Sequence, residues 1–156
     1  MVWTTGWGDK GIGYAYSRDL INWSQQRYLP VMENVPGTRN CWAPETFYDK
    51  KRDVYIITWS SDVEGRFAET ASPDRMNNRT YYVTTKDFQT FSEPRVLFDP
   101  GFDHIDATII EYEERFILTI KEGDKQRLGI WGPIYQAIAE DPLGPYELIQ
   151  TPVLRA

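Results

Sequence analysis

Short runs of β-branched and aromatic residues, separated by turn-forming residues, follow one another along the chain. Such runs favour strands, and they occupy 54–60, 81–85, 105–111 and 115–120. The dipeptide Glu113-Glu114 separates the last two runs and predicts a tight hairpin turn. No window keeps a helical apolar period over three turns, and most of the prolines fall between the runs. The pattern predicts an all-β fold with little helix.

A short motif occurs twice and, more loosely, a third time. Segments 17–23 (SRDLINW) and 85–91 (TKDFQTF) each read hydroxyl, basic, aspartate, bulky apolar, two further residues and aromatic, and serine follows both. The looser copy is 139–146 (AEDPLGPY). An aspartate at this place can accept hydrogen bonds from backbone N–H groups two residues on, and the aromatic can pack between neighbouring sheets. We therefore interpret the motif as a structural turn that marks a repeated unit.

Superposition of the repeats defines a unit of four strands. The template places first strands at 43–48 and 105–111, with Thr46 aligned to Thr108, and a hairpin leads from each to a second strand. The third strand runs into the motif, and the fourth follows it, as at 95–98. Units of this kind are typical of the blades of a β-propeller.

Applied to the N-terminus, the same template makes 2–6 a second strand and 11–17 a third strand. The first strand of that unit is then missing, and we expect units of three, four and four strands at 1–35, 41–100 and 103–152. The abrupt start within a strand indicates a piece of a longer chain. No basic segment followed by an apolar one is present at the start, so no signal peptide is predicted and the localisation stays open.

Composition and charge exclude several classes of function for this chain. The chain has 156 residues, of which 15% are aromatic and 26% charged, as in an ordinary globular domain. Its net charge of −6 argues against a nucleic-acid partner, which needs clustered Lys and Arg, and is compatible with a neutral partner such as a sugar. No apolar run approaches the roughly 18 residues that span a bilayer, so no membrane partner is expected. The single Cys41 excludes an intramolecular disulfide, and with one histidine no metal site or cofactor is expected.

The motifs distinguish between types of propeller. WD40 repeats carry Gly-His and Trp-Asp pairs, which this sequence lacks, and sialidase-type Asp boxes carry a glycine near the position of Ile21 or Gln89. Together with the repeated motif, the segments 41–45 (CWAPE) and 104–108 (HIDAT) resemble, in order and spacing, the five-bladed propellers of glycoside hydrolase family 43 and its relatives. The resemblance covers nearly the whole chain. It implies inverting hydrolysis of arabinose- and xylose-containing plant polysaccharides, with an arabinan- or xylan-type carbohydrate as the partner.

The resemblance also assigns a role to one carboxylate. Inversion needs a general acid and a general base on opposite sides of the sugar, with their pKa values pushed apart, and the family adds a third carboxylate that tunes the acid. Asp106 matches this pKa-modulating aspartate, and a carboxylate between Ile105 and Ala107 also looks out of place in a core strand. The alternative is a strand-end aspartate bonded to the backbone. The family's base lies upstream of 2–5 and its acid beyond Ala156, so the resemblance implies a fragment without either.

Three further residues are candidate substrate contacts. Trp42 and Glu45 match the Trp-Ala-Pro-acid segment at the mouth of the family's pocket; Trp42 would stack on a sugar or pack in the core, and Glu45 would contact substrate or bond to the backbone. His104 would lie at the pocket beside Asp106 or at the surface. Glu122 is either an extra carboxylate at the rim or a solvated strand end.

Two functions stay open at this point. One is an incomplete family 43-type arabinofuranosidase or xylosidase that is inactive alone, and the other is a non-catalytic partial propeller that binds carbohydrate or serves as a scaffold. An open stack of blades exposes sheet edges and faces, so we expect a homo-oligomer, with two copies closing one ring. The long, polar segment 62–78 is expected to form a loop that borders the pocket.

Overall fold

Eleven strands form three antiparallel sheets in the described residues, 1–71, 75–123 and 132–153, of the computed structural model. The first sheet contains β1 (Val2–Thr4), β2 (Ile12–Tyr14) and β3 (Arg27–Leu29). The second contains β4 (Trp42–Asp49), β5 (Val54–Ser61), β6 (Arg79–Thr85) and β7 (Arg95–Phe98). The third contains β8 (His104–Tyr112), β9 (Arg115–Glu122), β10 (Ile134–Ala139) and β11 (Glu147–Leu148). In each sheet the strands pair in chain order, which is the meander of a propeller blade.

The predicted all-β fold is confirmed. Among the described residues, helix is limited to one short 3-10 turn at Ala68–Thr70. Glu113 and Glu114 both have positive φ angles, 47° and 62°, as the predicted two-residue hairpin turn requires. The strands β1 and β2 are shorter than the template predicted for them.

Two apolar layers join the three sheets. One contains Tyr14 of β2 and Trp59 of β5, and the other contains Phe98 of β7 and Leu118 of β9. The second sheet therefore has apolar neighbours on both faces, and β5 is buried along most of its length. This explains why 54–60 reads as an almost continuous apolar run, whereas a strand with one solvated face would alternate.

The repeated motif forms the predicted turn in both close copies. Asp19 accepts hydrogen bonds from the N–H groups of residues 21 and 22, at 2.9 and 2.8 Å, and Asp87 accepts them from residues 89 and 90, at 2.8 and 2.9 Å. These backbone hydrogen bonds hold the pKa of both carboxyls below the usual range. The apolar residue after each aspartate has a positive φ, 62° at Leu20 and 54° at Phe88. The motif is therefore a turn that two hydrogen bonds from backbone N–H groups to the aspartate define in each copy.

The apolar residue that follows the aspartate of the motif packs differently in the two copies. Phe88 stacks on Tyr14 of the first sheet, with ring centroids 4.4 Å apart, and also contacts Tyr55. Leu20, its counterpart, is 79% exposed. The turn is thus set by local sequence, and the packing of its apolar residue by the neighbouring sheet.

This contrast predicts a difference in stability. Phe88→Ala is expected to lower the free energy of unfolding by about 2 kcal/mol, less than a fully buried Phe→Ala change because the side chain is only partly buried. Leu20→Ala changes the same motif position at an exposed site and is expected to stay within about 0.5 kcal/mol. Urea unfolding of both variants measures the difference. Equal losses would mean that Phe88 does not join the two sheets.

Candidate active site

The first strands of the second and third sheets each contain a β-bulge near the N-terminal end. The pairing of β4 with β5 shifts register between Trp42 and Glu45, and the pairing of β8 with β9 shifts between Ile105 and Thr108. The strands β4 and β8 also contact each other, so the two bulges lie on neighbouring elements. Bulges re-aim side chains and are common next to active sites.

The bulges correct the predicted alignment of the two units. Glu45 and Thr108 each resume the pairing directly after the bulge, so these two residues correspond, and Thr46 corresponds to Ile109. The alignment of Thr46 with Thr108 is therefore wrong by one residue. Its physical cause is that the bulge, rather than side-chain identity, fixes where the ladder resumes.

Asp106 occupies the bulge of β8. Its φ is 58°, a left-handed conformation that aspartate tolerates better than most residues with a Cβ. Its side chain is 46% exposed, and Lys121 Nζ donates a hydrogen bond to its Oδ2 at 3.1 Å. The strand thus turns this carboxylate out of the ladder and towards solvent, and the neighbouring second strand supplies a cation that orients it. Strained backbone of this kind clusters at functional sites.

The bulge of β4 is tied to the first sheet. Ala43, with φ of 45°, donates its N–H to Thr4 Oγ1 at 2.9 Å. The indole N–H of Trp42 donates to the carbonyl of Trp7 at 2.9 Å, and the two indole rings meet edge to face with centroids 5.6 Å apart. Trp7 itself is 83% exposed. Glu45, just past the bulge, is also exposed.

Trp7 is a candidate site residue that the sequence analysis missed. It lies in the connection between β1 and β2, flanked by Gly6 and Gly8. The sequence signal that could have identified it is a tryptophan between two glycines in a predicted loop. Such a loop has no apolar core that would need so large a ring. Together, the exposed ring of Trp7 and the partly buried ring of Trp42 form an aromatic surface, here called the aromatic platform.

His104 lies in the interior and not at the surface. Its Nε2 accepts the Thr80 N–H at 3.1 Å and contacts Thr80 Oγ1 at 2.8 Å, which leaves Nδ1 to donate to the Phe102 carbonyl at 3.3 Å. Complete burial lowers its pKa to about 4, so the ring is neutral near pH 7. A fully buried ring has no surface to offer to a sugar, so the structure does not favour direct substrate contact by His104.

Glu122 is buried as well. It pairs with His104 across β8 and β9 and is 1% exposed, so the predicted solvated strand end is wrong. At this strand end the backbone N–H of Glu122 donates to the Pro133 carbonyl at 2.9 Å, so the end is paired and not solvated.

The predicted loop at 62–78 lies between β5 and β6 and lines a pocket of about 400 Å³. Its described residues are held by Arg79, which is completely buried at the start of β6. Arg79 donates hydrogen bonds to Asp99, Asn77 and Thr70 and lies 4.5 Å over the ring of Phe67. The lining of this pocket includes Arg39 and does not include Asp106.

Within 1–71, 75–123 and 132–153, no three His, Cys, Asp or Glu side chains gather in a way that would hold a metal ion. In the same ranges there is no helix of the length and apolarity needed to cross a membrane.

Comparisons with known proteins give a consistent assignment. Residues 3–154 match the family described as "Probable glycosyl hydrolase domain", a family related to glycoside hydrolase family 43. An α-L-arabinofuranosidase of Bifidobacterium longum subsp. longum is 28% identical over 111 residues, which are 65% of this chain and 10% of that protein. The chain therefore spans about a tenth of this curated relative.

Two solved structures share the fold. A family 117 glycoside hydrolase of Zobellia galactanivorans superposes with a TM-score of 0.71 and 20% identity, over 99% of this chain and 45% of that one. A family 43 β-xylosidase/α-arabinofuranosidase from a compost metagenome, in complex with xylotriose, superposes with a TM-score of 0.53 and 16% identity, over 72% and 35% of the two chains. The chain spans less than half of either structure.

Proposed function

The chain belongs to the family 43-related glycosyl hydrolases, and from this premise we propose that its site binds the sugar units of an arabinose- or xylose-containing polysaccharide. The predicted resemblance to family 43-like propellers is confirmed, and the domain is glycoside hydrolase-like and related to arabinofuranosidases and xylosidases. The proposed reaction is hydrolysis with inversion.

The position of Asp106 is the observation that carries this proposal. An inverting reaction needs carboxylates that project from different elements towards one sugar, with room for a water between acid and base. Asp106 is turned out of an inner strand by a bulge, stays accessible, and is oriented by Lys121. These features suit a carboxylate that orients a general acid and tunes its pKa. A residue that only capped a strand end would not need them.

The aromatic platform supplies the proposed binding surface. Sugar rings present apolar C–H faces, and indole rings offer a large, rigid surface for such faces. The indole N–H of Trp42 is bonded to the Trp7 carbonyl, so the ring of Trp42 loses little freedom when a sugar stacks there, and the exposed ring of Trp7 adds contact area beside it. Glu45 follows the same bulge and is exposed, and in this proposal its carboxylate accepts hydrogen bonds from sugar hydroxyls. In this proposal His104 acts through the core: it holds the start of β8 against β6.

Binding without catalysis is the second candidate function, and one observation favours it. The charged partner of Asp106 in the described structure is an ammonium, Lys121, whereas inversion needs a second and a third carboxylate around the sugar. We therefore propose that the 156 residues alone bind carbohydrate but turn over little, and that activity needs carboxylates beyond those described.

A hydrolysis assay with aryl arabinofuranoside and aryl xyloside, together with sugar binding, tests both candidates. If the chain is active, Asp106→Asn is expected to lower kcat at least 100-fold, because the acid loses the carboxylate that tunes it. Asp53→Asn removes the same charge at an exposed hairpin and is expected to leave kcat unchanged. Unchanged turnover in Asp106→Asn would contradict the assigned role. Binding of xylotriose without turnover would favour the non-catalytic function.

We also propose that the chain self-associates. The connection between β2 and β3 exposes Tyr16, Leu20 and Ile21. Tyr28 of β3 and Ile110 and Tyr112 of β8 are exposed as well, and such apolar side chains favour contact with another chain. Light scattering at micromolar concentration measures the mass. A mass equal to a single 18.2 kDa chain would contradict self-association.

A further inference from the structure

A polar pocket lies beside the aromatic platform and has no role in the function proposed above. It has a volume of about 400 Å³, within the range of ligand sites, and its lining includes Arg39, Arg66 and Arg75 together with Asp62 and Glu64. The lining thus carries three guanidinium groups and two carboxylates. An excess of positive charge in one depression is unusual for a chain whose net charge is −6.

The walls of this pocket are held rigidly by backbone bonds. Arg39 donates its N–H to the Asp62 carbonyl, and Glu64 donates its N–H to the Gly37 carbonyl, each at 2.9 Å. The Asp62 N–H is in turn bound by the buried side chain of Asn40, at 2.8 Å. The two wall segments therefore form a short ladder, and the pocket exists before any ligand enters.

The guanidinium groups differ in their partners. Arg39 Nη1 lies 3.2 Å from the carboxylate of Asp62, which is almost fully buried, and its Nη2 lies 3.9 Å from Glu64. Arg66 instead contacts Tyr81: it donates to the hydroxyl at 3.3 Å and lies 5.8 Å over the ring. Among the described residues, Arg66 is thus held by an aromatic side chain and not neutralised by a carboxylate. An exposed guanidinium fixed in this way is suited to a carboxylate from outside.

One lining residue of the pocket is a neighbour of the segment that carries Trp7. The carbonyl of Arg39 lies 3.9 Å from the place where a Cβ on Gly8 would stand, and Gly8 directly follows Trp7. A polysaccharide stacked on the platform would therefore extend past Gly8 towards Arg39.

We propose that this pocket is a subsite for a carboxylate-bearing sugar, a uronate unit of the polysaccharide, with Arg66 as its main cation. The inference rests on the proposed carbohydrate function and adds the acidic unit to it. A uronate offers a planar carboxylate for the guanidinium fork and hydroxyls for the polar walls, and its ring is of a size that the pocket can hold.

Calorimetric titration of the intact chain tests the subsite. The two ligands are xylotriose and a xylotriose that carries one glucuronate side group. The acidic ligand is expected to bind about tenfold more tightly at low salt, and the advantage is expected to shrink at high salt because the charges are partly exposed. Arg66→Gln is expected to remove this advantage and to leave the affinity for xylotriose unchanged. Arg95→Gln removes an exposed arginine of β7 and is the matched control, with no effect expected on either ligand.

The outcomes separate this inference from the proposed function. If xylotriose binds and the acidic ligand binds no better, the subsite is overturned and the carbohydrate function stands. Equal effects of Arg66→Gln and Arg95→Gln would also overturn it, since the gain would then be general electrostatics. Displacement of the acidic ligand by inorganic phosphate at equal concentration would overturn the assignment to a sugar. If neither ligand binds, the proposed function and the subsite both fail.

Discussion

Replacement of Arg79 by methionine is expected to lower the free energy of unfolding by about 3 kcal/mol. The guanidinium is completely buried, and its donors reach Asp99, Asn77, the Asn78 carbonyl and Thr70. Removal of one partner of a buried pair costs about 3–5 kcal/mol, because the remaining polar groups lose both protein and water partners. The lower end applies here, since Asp99 is 33% exposed and can regain water. Urea unfolding measures the loss.

Two further variants define what the Arg79 result means. Arg79→Lys keeps the charge but has one nitrogen, so it is expected to recover only part of the loss. Arg95→Ala removes an exposed arginine of the adjacent strand and is expected to change stability by less than about 0.5 kcal/mol. If Arg79→Met were as stable as the unchanged chain, the hydrogen-bond network would contribute nothing net. The loop that it holds would then be ordered by its apolar contacts.

Acidification from pH 6.5 to pH 4 is expected to cost about 3 kcal/mol of stability through His104 alone. Its pKa is about 4 in the folded chain because burial disfavours the charged ring, and about 6.5 in the unfolded chain. Between these values the unfolded chain binds more protons, so stability falls as pH falls. The contribution of neutral His104 is thus fully present above pH 6.5 and is lost as pH approaches 4. The carboxyls of Asp19 and Asp87, whose pKa values are lowered in the folded chain, also reduce stability as pH falls, mainly near and below pH 4, where the same carboxyls of the unfolded chain bind protons.

The chain has a single histidine, so the difference between the unchanged chain and a His104 variant separates this pH dependence from that of the carboxyls. His104→Gln keeps an acceptor for the Thr80 N–H but cannot titrate in this range. We expect it to be less stable at pH 7 and to show almost no change in stability between pH 6.5 and pH 4. Nuclear magnetic resonance of the one imidazole reports its pKa in the folded chain directly. A folded-state pKa near 6.5 would contradict the buried, neutral ring.

The structure confirms most of what depends on neighbouring residues. The strand β7 has the predicted bounds 95–98, and the turn after each repeated motif forms through the predicted aspartate contacts. Strand runs and such turns follow from side-chain and backbone chemistry within a few residues, which the sequence displays.

The candidate site was only partly predictable. Asp106, Trp42 and Glu45 stood out by their motifs, and the structure brings Trp42 and Glu45 to one bulge and Asp106 to the bulge of the next sheet. The burial of His104, the exposure of Trp7 and the arginine pocket were not predicted. Each depends on a contact with a residue from another segment of the chain. His104 contacts Thr80, and the ring of Trp7 contacts the ring of Trp42. In the pocket, Arg39 contacts Asp62.

The sequence by itself determined that this chain folds as repeated antiparallel units, because the alternation, the hairpin turns and the recurring aspartate turn are all local. Only the tertiary structure decided which side chains those units expose at the candidate site and which they bury. A bulge shifted the ladder by one residue and turned Asp106 outwards, and a second bulge put Trp42 against Trp7. Register and burial arise from contacts between segments distant in the chain, and no local pattern specifies them.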